Sequence, residues 1–227
     1  MSRFYRYHPH IHSSIEGPTV SRQPLHLAQS DLDGACGPHC AFMALMIFGI
    51  VERDELYSVA KSRKRDLSKM WKRSSLFYFS GSKPSQLKSL FASYKDSLSC
   101  KLHKKDWLTQ TIESIKADGV CIVGVSNNDF SHWTLAVGYG GQSDGKADTL
   151  LLLDPDAPPI PMLAWNATLN IKTRRNSLYS CVNANGSHKV RVNNTLSLLH
   201  NATKHDLESA MEAELEVDLN HAFSLYR

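Results

Sequence analysis

From Pro38 to Gly49 the chain reads PHCAFMALMIFG, a stretch in which only His39 is plainly polar. A helix that is apolar nearly all round has no face to offer water, so it must be a central element with the rest of the chain packed about it. Proline suits a first helical turn, where its missing N–H is not needed. Gly49 suits a helix C-cap. The helix therefore starts near Pro38, and Cys36 sits at or just before its N-terminus. A thiol there meets unpaired backbone N–H groups and the positive end of the helix dipole, both of which favour thiolate.

Composition narrows the classes. The chain has 227 residues, 42% of them hydrophobic and 21% charged. That supports one domain with a full core and excludes a disordered or collagen-like chain. The longest apolar run, Ala41 to Val51, falls far short of the ~20 residues that span a bilayer, and the N-terminus MSRFYRYHPHIH carries no apolar block of signal-peptide type. A cytoplasmic protein is expected by default, with non-classical export left open. Five cysteines without a CxxC pair argue for reduced thiols rather than a disulfide framework.

Net charge is a mild +4, unevenly placed: Lys61 to Arg73 holds seven Lys/Arg and one Asp, and Asp206 to Asp218 holds six acids. The basic stretch is either a solvated helix face or a rim for an acidic partner. It lacks interleaved aromatics other than Trp71 and no nucleic-acid-binding motif accompanies it, so nucleic acid is not expected.

Residues 1–22 read as an irregular segment. Helices are expected over 52–73, from Ser82 to about Tyr94, and from an Asp106 N-cap to Gly119. Strands follow: VCIVGV (120–125), HWTLAVGYG (132–140) and TLLLLD (149–154), then a proline-rich break at 155–161. Residues 166–227 read as an extension, with a hairpin around Asn185-Gly186 and a charged helix at about 203–220. Helices first and strands later point to α+β: a helix carrying the cysteine, packed on an antiparallel sheet.

A catalytic thiol needs an imidazole as base and a group to orient it. Of eleven histidines, His132 opens a strand just after a turn, where its side chain reaches out of the sheet edge. If 132–140 and 149–154 form a hairpin, the register that puts Asp154 opposite His132 centres the turn on Ser143, inside the polar loop GGQSDGKAD. Gln29, seven residues before Cys36, offers a side-chain amide that can join the Cys36 N–H as an oxyanion hole.

The ordered set Gln29…Cys36-Gly37-Pro38 with its apolar helix, then GVCIVGV, HWTLAVGY and LLLLDP, resembles the papain-like cysteine peptidases of the C39 and C39-like families over about residues 24–160. The resemblance implies a papain-like fold for a catalytic domain at 23–165, and a peptidase acting on a protein or peptide. It implies Cys36 as nucleophile, His132 as base, Asp154 as its orienting residue and Gln29 as oxyanion donor, with no metal or organic cofactor. Those families usually place the glutamine six residues before the cysteine, not seven, and no transporter segment accompanies the domain here.

The same groups serve other acyl chemistry. With a lysine ε-amine as leaving group the enzyme is an isopeptidase. With ammonia from a protein glutamine it is an effector-like deamidase, and with a second amine it is a transamidase. A catalytically dead binding module is a further alternative. Cys36, His39 and Cys40 fall within one helical turn, but zinc takes four ligands and the others must come from as far as the HPHIH segment, so no metal site is assigned.

Overall fold

The computed structural model describes residues 2–143, 145–175 and 178–201; the charged helix expected at 203–220 and the acidic stretch at 206–218 lie outside them. The described residues contain eleven strands: β1 (Arg3–Tyr7), β2 (His12–Ser14), β3 (Gly17–Val20), β4 (Gln23–Pro24), β5 (Leu98–His103), β6 (Val120–Ser126), β7 (Ser131–Gln142), β8 (Ala147–Leu153), β9 (Ala167–Arg175), β10 (Leu178–Asn183) and β11 (Gly186–His200). The α-helices are α1 (Cys36–Ile47), α2 (Arg53–Tyr57), α3 (Arg65–Ser74), α4 (Pro84–Leu90) and α5 (Trp107–Lys116).

Strands β6 to β11 form a closed antiparallel ring. Each pairs with the next in sequence, and β11 returns to β6. Two further strands attach outside the ring. The C-terminal half of β7 diverges from β6 and takes β1, from Arg3↔Gln142 to Tyr7↔Gly138, and the end of β11 takes β5. Strands β2, β3 and β4 form a separate small sheet.

This architecture corrects the expectation of a papain-like α+β helix-on-sheet fold. The molecule is mostly β, a six-stranded barrel with two extra strands and a few short helices, the longest among the described residues having 12 residues. The physical reason lies in the segments 1–22 and 166–227. The first supplies β1 to β3 rather than an irregular leader. Within the second, β9, β10 and β11 are three of the six barrel staves rather than an extension.

Alternation along the strands divides the core in two, as a closed sheet requires. Cys121, Val123, Val125, Ala136, Leu150, Leu152, Leu169, Cys181 and Val190 share the cluster that fills the barrel. Val120, Ile122, Trp133, Leu135, Val137, Leu153, Leu196 and Leu198 belong to the outer cluster, which contains α1. Every residue of α1 is buried, as its uniform apolarity demands. Its end is a Schellman motif: the Ile50 N–H donates to the Leu45 carbonyl and the Gly49 N–H to the Met46 carbonyl, with Gly49 at φ +67°.

Helix α3 carries most of the basic stretch and buries Leu67 and Met70. Part of its charge is used locally. Lys64 pairs with Glu55, and the Arg73 guanidinium donates to the Ser89 carbonyl. Asp106 precedes α5 in a left-handed conformation and makes no side-chain cap, unlike the expected N-cap. Among the described residues no helix is long and apolar enough to cross a membrane.

Candidate functional site

The expected site residues come from four separate segments, and the fold brings them together. Strand β6 hands over to β7 through a tight turn in which Asn127 Oδ1 accepts the N–H groups of Asp129 and Phe130. His132 follows at the rim of the barrel, paired across to Val125. Asp154 is the first residue past β8. The β7–β8 register differs by two residues from the expected one: Leu135 faces Leu153, so Asp154 continues the ladder toward Thr134 and lies diagonal to His132. A diagonal pair remains within side-chain reach, and His132 Nε2 sits 2.7 Å from Asp154 Oδ1.

Cys36 is the first residue of α1, lines one groove with His132, and acts on the ring to raise its proton affinity. Asp154 occupies Nε2, so Nδ1 is the ring nitrogen left for the sulfur. Burial of the imidazole opposes its charge. The hydrogen bonds and charges of Asp154 and Cys36 outweigh that and lift His132 to about 10. Burial likewise pushes Asp154 up, but the His132 bond and charge, the Asn183 amide and a backbone N–H hold it below the ordinary carboxylate range. The other four thiols are pushed up by burial: Cys100 to about 11, Cys121 and Cys181 to about 12, and Cys40 well above its ordinary value.

Every polar atom of Asp154, itself 2% exposed, is held. Oδ1 accepts from His132 and from the Asp156 N–H at 3.0 Å, and Oδ2 accepts from Asn183 Nδ2 at 2.9 Å. Its N–H donates to Asn166 Oδ1 at 2.7 Å, and its carbonyl accepts from Asn166 Nδ2 and bonds His26 Nε2, both at 2.8 Å. Asn183, Asn166 and His26 were not legible as site residues. Asn166 shows in the sequence only as a glycosylation sequon, which its complete burial rules out as an acceptor in the folded chain. Asn183 lies on β10, inside the segment read as an extension. The one available signal was the Asn-rich hairpin NANG.

Gln29 reaches the site, with an additional constraint. Its backbone N–H donates to the Pro155 carbonyl and its side-chain amide donates to the Asp33 carbonyl at 2.7 Å, while Oε1 is buried without a partner. One amide proton is therefore engaged and the second is left. Asp33 organises this loop. Its carboxylate accepts the N–H groups of Ser30 and Ala35 and the Ser30 hydroxyl. Burial pushes Asp33 up, but these bonds hold it below its ordinary value.

The glycines beside the cysteine serve packing. A Cβ on Gly34 would stand 2.6 Å from the Gly81 nitrogen, and one on Gly37 would stand 2.2 Å from Ser82 Oγ. Both let the 79–82 loop close on the start of α1, where Trp133 Nε1 also donates to the Ser82 carbonyl at 3.0 Å. His39, the one plainly polar residue of the apolar stretch, is buried and bonds Tyr78 Oη at 3.0 Å. Cys40 Sγ donates to the Trp133 carbonyl. His8 is buried against Phe48 and His10 Nδ1 bonds the Ile47 carbonyl, so these two histidines anchor the N-terminal segment to the end of α1.

Two cavities flank His132. A groove of about 720 Å³ is lined by Gln29, Asp33, Gly34, Cys36, Ser82 and His132, among others. The exposed Leu32 and Phe79 border it. A pocket of about 410 Å³ occupies the mouth of the barrel on the Asp154 side. Sulfur, imidazole and carboxylate in one chain can carry out nucleophilic acyl transfer. The chain matches no protein-family model and none of the curated proteins.

Proposed function

We propose that this protein is a cysteine hydrolase that cleaves peptide or isopeptide bonds of a protein or peptide substrate. One observation carries the reading: a single imidazole is held at 2.7 Å by Asp154, whose polar atoms are all bonded, and lines one groove with Cys36, at the start of a helix. A buried structural histidine needs no such pair of partners.

In this mechanism His132 and Cys36 rest as an imidazolium–thiolate pair held by Asp154, and the thiolate attacks the carbonyl carbon of the scissile amide. The Cys36 N–H, unused within the first helical turn, and the remaining Gln29 amide proton receive the oxyanion. The His132 imidazolium protonates the leaving nitrogen as the C–N bond breaks, leaving a thioester on Cys36. His132 then deprotonates a water that attacks the thioester, the C–S bond breaks, and the acid product departs with Cys36 restored. Asp154 holds the imidazole and stabilises its positive charge throughout. The resemblance of the motif order to that of the C39 peptidases supports the same roles for the same residues.

The test is mild-acid alkylation followed by an electrophile set. Iodoacetamide at about pH 5.5, where an unperturbed thiol is protonated, labels Cys36 and spares the other four thiols, and His132→Ala removes the labelling. Peptide, ubiquitin-like and glutamine-amide electrophiles are then compared by intact mass. A covalent adduct at Cys36 with a peptide or ubiquitin-like electrophile supports the reading. An unreactive Cys36 rejects it.

A further inference from the structure

We propose that the mouth of the barrel is the leaving-group subsite, and that it favours a long side chain ending in a cation on the amine side of the scissile bond. The inference rests on the hydrolase reading above and adds to it the class of residue that departs.

The two cavities are not equivalent. Cys36 lines only the larger groove, and Asp154 lines only the barrel mouth, while His132, Ser131 and Gln29 line both. His132 therefore stands between them. The nitrogen it protonates departs on the imidazole side of the sulfur, so the acyl half of the substrate remains in the groove over Cys36 and the amine half lies in the barrel mouth. A pocket of about 410 Å³ is far larger than ammonia needs, since a molecule of that size fills about 30 Å³. The leaving group it fits is a residue of a chain, which favours hydrolysis of a peptide or isopeptide over deamidation.

The lining specifies the side chain. Val125, Thr134 and Cys181 form a mainly apolar floor, and the rings of Phe130 and His188, 5.6 Å apart and nearly perpendicular, form a wall. The rim is polar. Five titratable groups line the pocket: His132, Asp154, Asp156, Cys181 and His188. His132 and Asp154 offset each other. Asp156 has no cation partner among the described residues. Its backbone is fixed, because its N–H donates to Asp154 Oδ1 and its carbonyl accepts from Asn185 Nδ2 at 2.9 Å. A carboxylate on a rigid rim over an apolar floor suits a side chain with an aliphatic stem and a charged head, as in lysine or arginine.

The experiment uses the full chain with Cys36→Ala, which keeps the pocket but cannot turn over. Calorimetry compares two tripeptides with free N-termini, Lys-Ala-Ala and norleucine-Ala-Ala. The lysine peptide binds about two- to fivefold more tightly, the size of one exposed ion pair. Asp156→Asn removes the difference and Asp156→Glu preserves it. In the wild-type chain the same change at Asp156 lowers by a similar factor the ratio of kcat/KM for otherwise identical substrates with lysine or norleucine after the scissile bond. Equal binding of the two peptides, or a lysine preference that survives Asp156→Asn, overturns the proposal. Turnover without lysine preference overturns it alone. A lysine preference in a chain that turns over no substrate overturns the leaving-group role together with the hydrolase reading.

Discussion

At the scale of single residues the proposed chemistry depends on keeping His132 charged and aimed. Its pKa in the folded chain lies above the ordinary 6.5, at about 10. Its protonation therefore favours the folded state fully below about pH 6.5, and that contribution is lost as pH rises through about 10. Asp154 is shifted downward from 3.8, so its contribution is present above that value and is lost as pH falls below it. Imidazole ¹⁵N NMR of the wild type is expected to show His132 still protonated at about pH 8, where an ordinary histidine is neutral. In Asp154→Asn the titration moves down toward the ordinary value, and turnover falls roughly 100-fold or more, since an amide can hold the wrong tautomer. Asn183→Ala removes the donor to Asp154 Oδ2. It should cost about 1–3 kcal/mol of stability, read by urea unfolding, and displace the acid limb of the pH–rate profile upward. Cys36, His132 and Asp154 were legible because each sits at a junction that sequence marks well: Gly-Pro before an apolar helix, a polar turn before a strand, and a proline after one. Asn166 and His26 were not, because their role is to bond the backbone of Asp154, and backbone partners leave no pattern in side-chain types.

At the scale of elements, α1 is the best-read part of the chain. Its burial, its start and its glycine end all follow from local composition. The β7–β8 hairpin was legible as two strands but not in its register. Irregularities between Ala136 and Gly138 and between Gly140 and Gly141 shift the pairing, and bulges depend on the closing barrel rather than on the loop alone. Two glycine substitutions separate the end of α1 from its beginning. Gly49→Ala places a Cβ at φ +67° with open space around it. It should cost about 1–2 kcal/mol and leave Cys36 labelling unchanged. Gly37→Ala drives a methyl against Ser82 Oγ and toward Trp133. It should cost about 1–3 kcal/mol and also slow Cys36 labelling, because the 79–82 loop that borders the groove must move. Melting curves and labelling rates measured together distinguish the two. Equal effects on labelling would argue against a structural link between that loop and the thiol.

At the scale of the whole molecule, closure of the barrel is what the sequence concealed. Strands β9 to β11 carry Asn, Thr, Ser and Lys between their apolar residues, so each segment by itself resembles a surface hairpin. Only their pairing to β8 and β6, many residues away in the chain, makes them part of the core. Non-local pairing of this kind has no periodic signature. It also ties the site to the barrel, because Asn166 and Asn183 flank β9 and end β10 and both hold Asp154. A fragment comprising residues 1–165 provides the test. Were the later strands an appendage, it would fold and keep a reactive Cys36. In the closed barrel, its loss leaves β8 and β6 with open edges, uncovers Leu150, Leu152, Val123 and Val125 from the interior cluster, and removes both asparagines. The fragment is therefore expected to lack near-ultraviolet circular dichroism and a cooperative melt, and to aggregate through its exposed edges. Adding back residues 166–227 as a separate chain should restore both the melt and mild-acid labelling of Cys36. A fragment that melts cooperatively by itself would mean that the barrel need not close for the core to form.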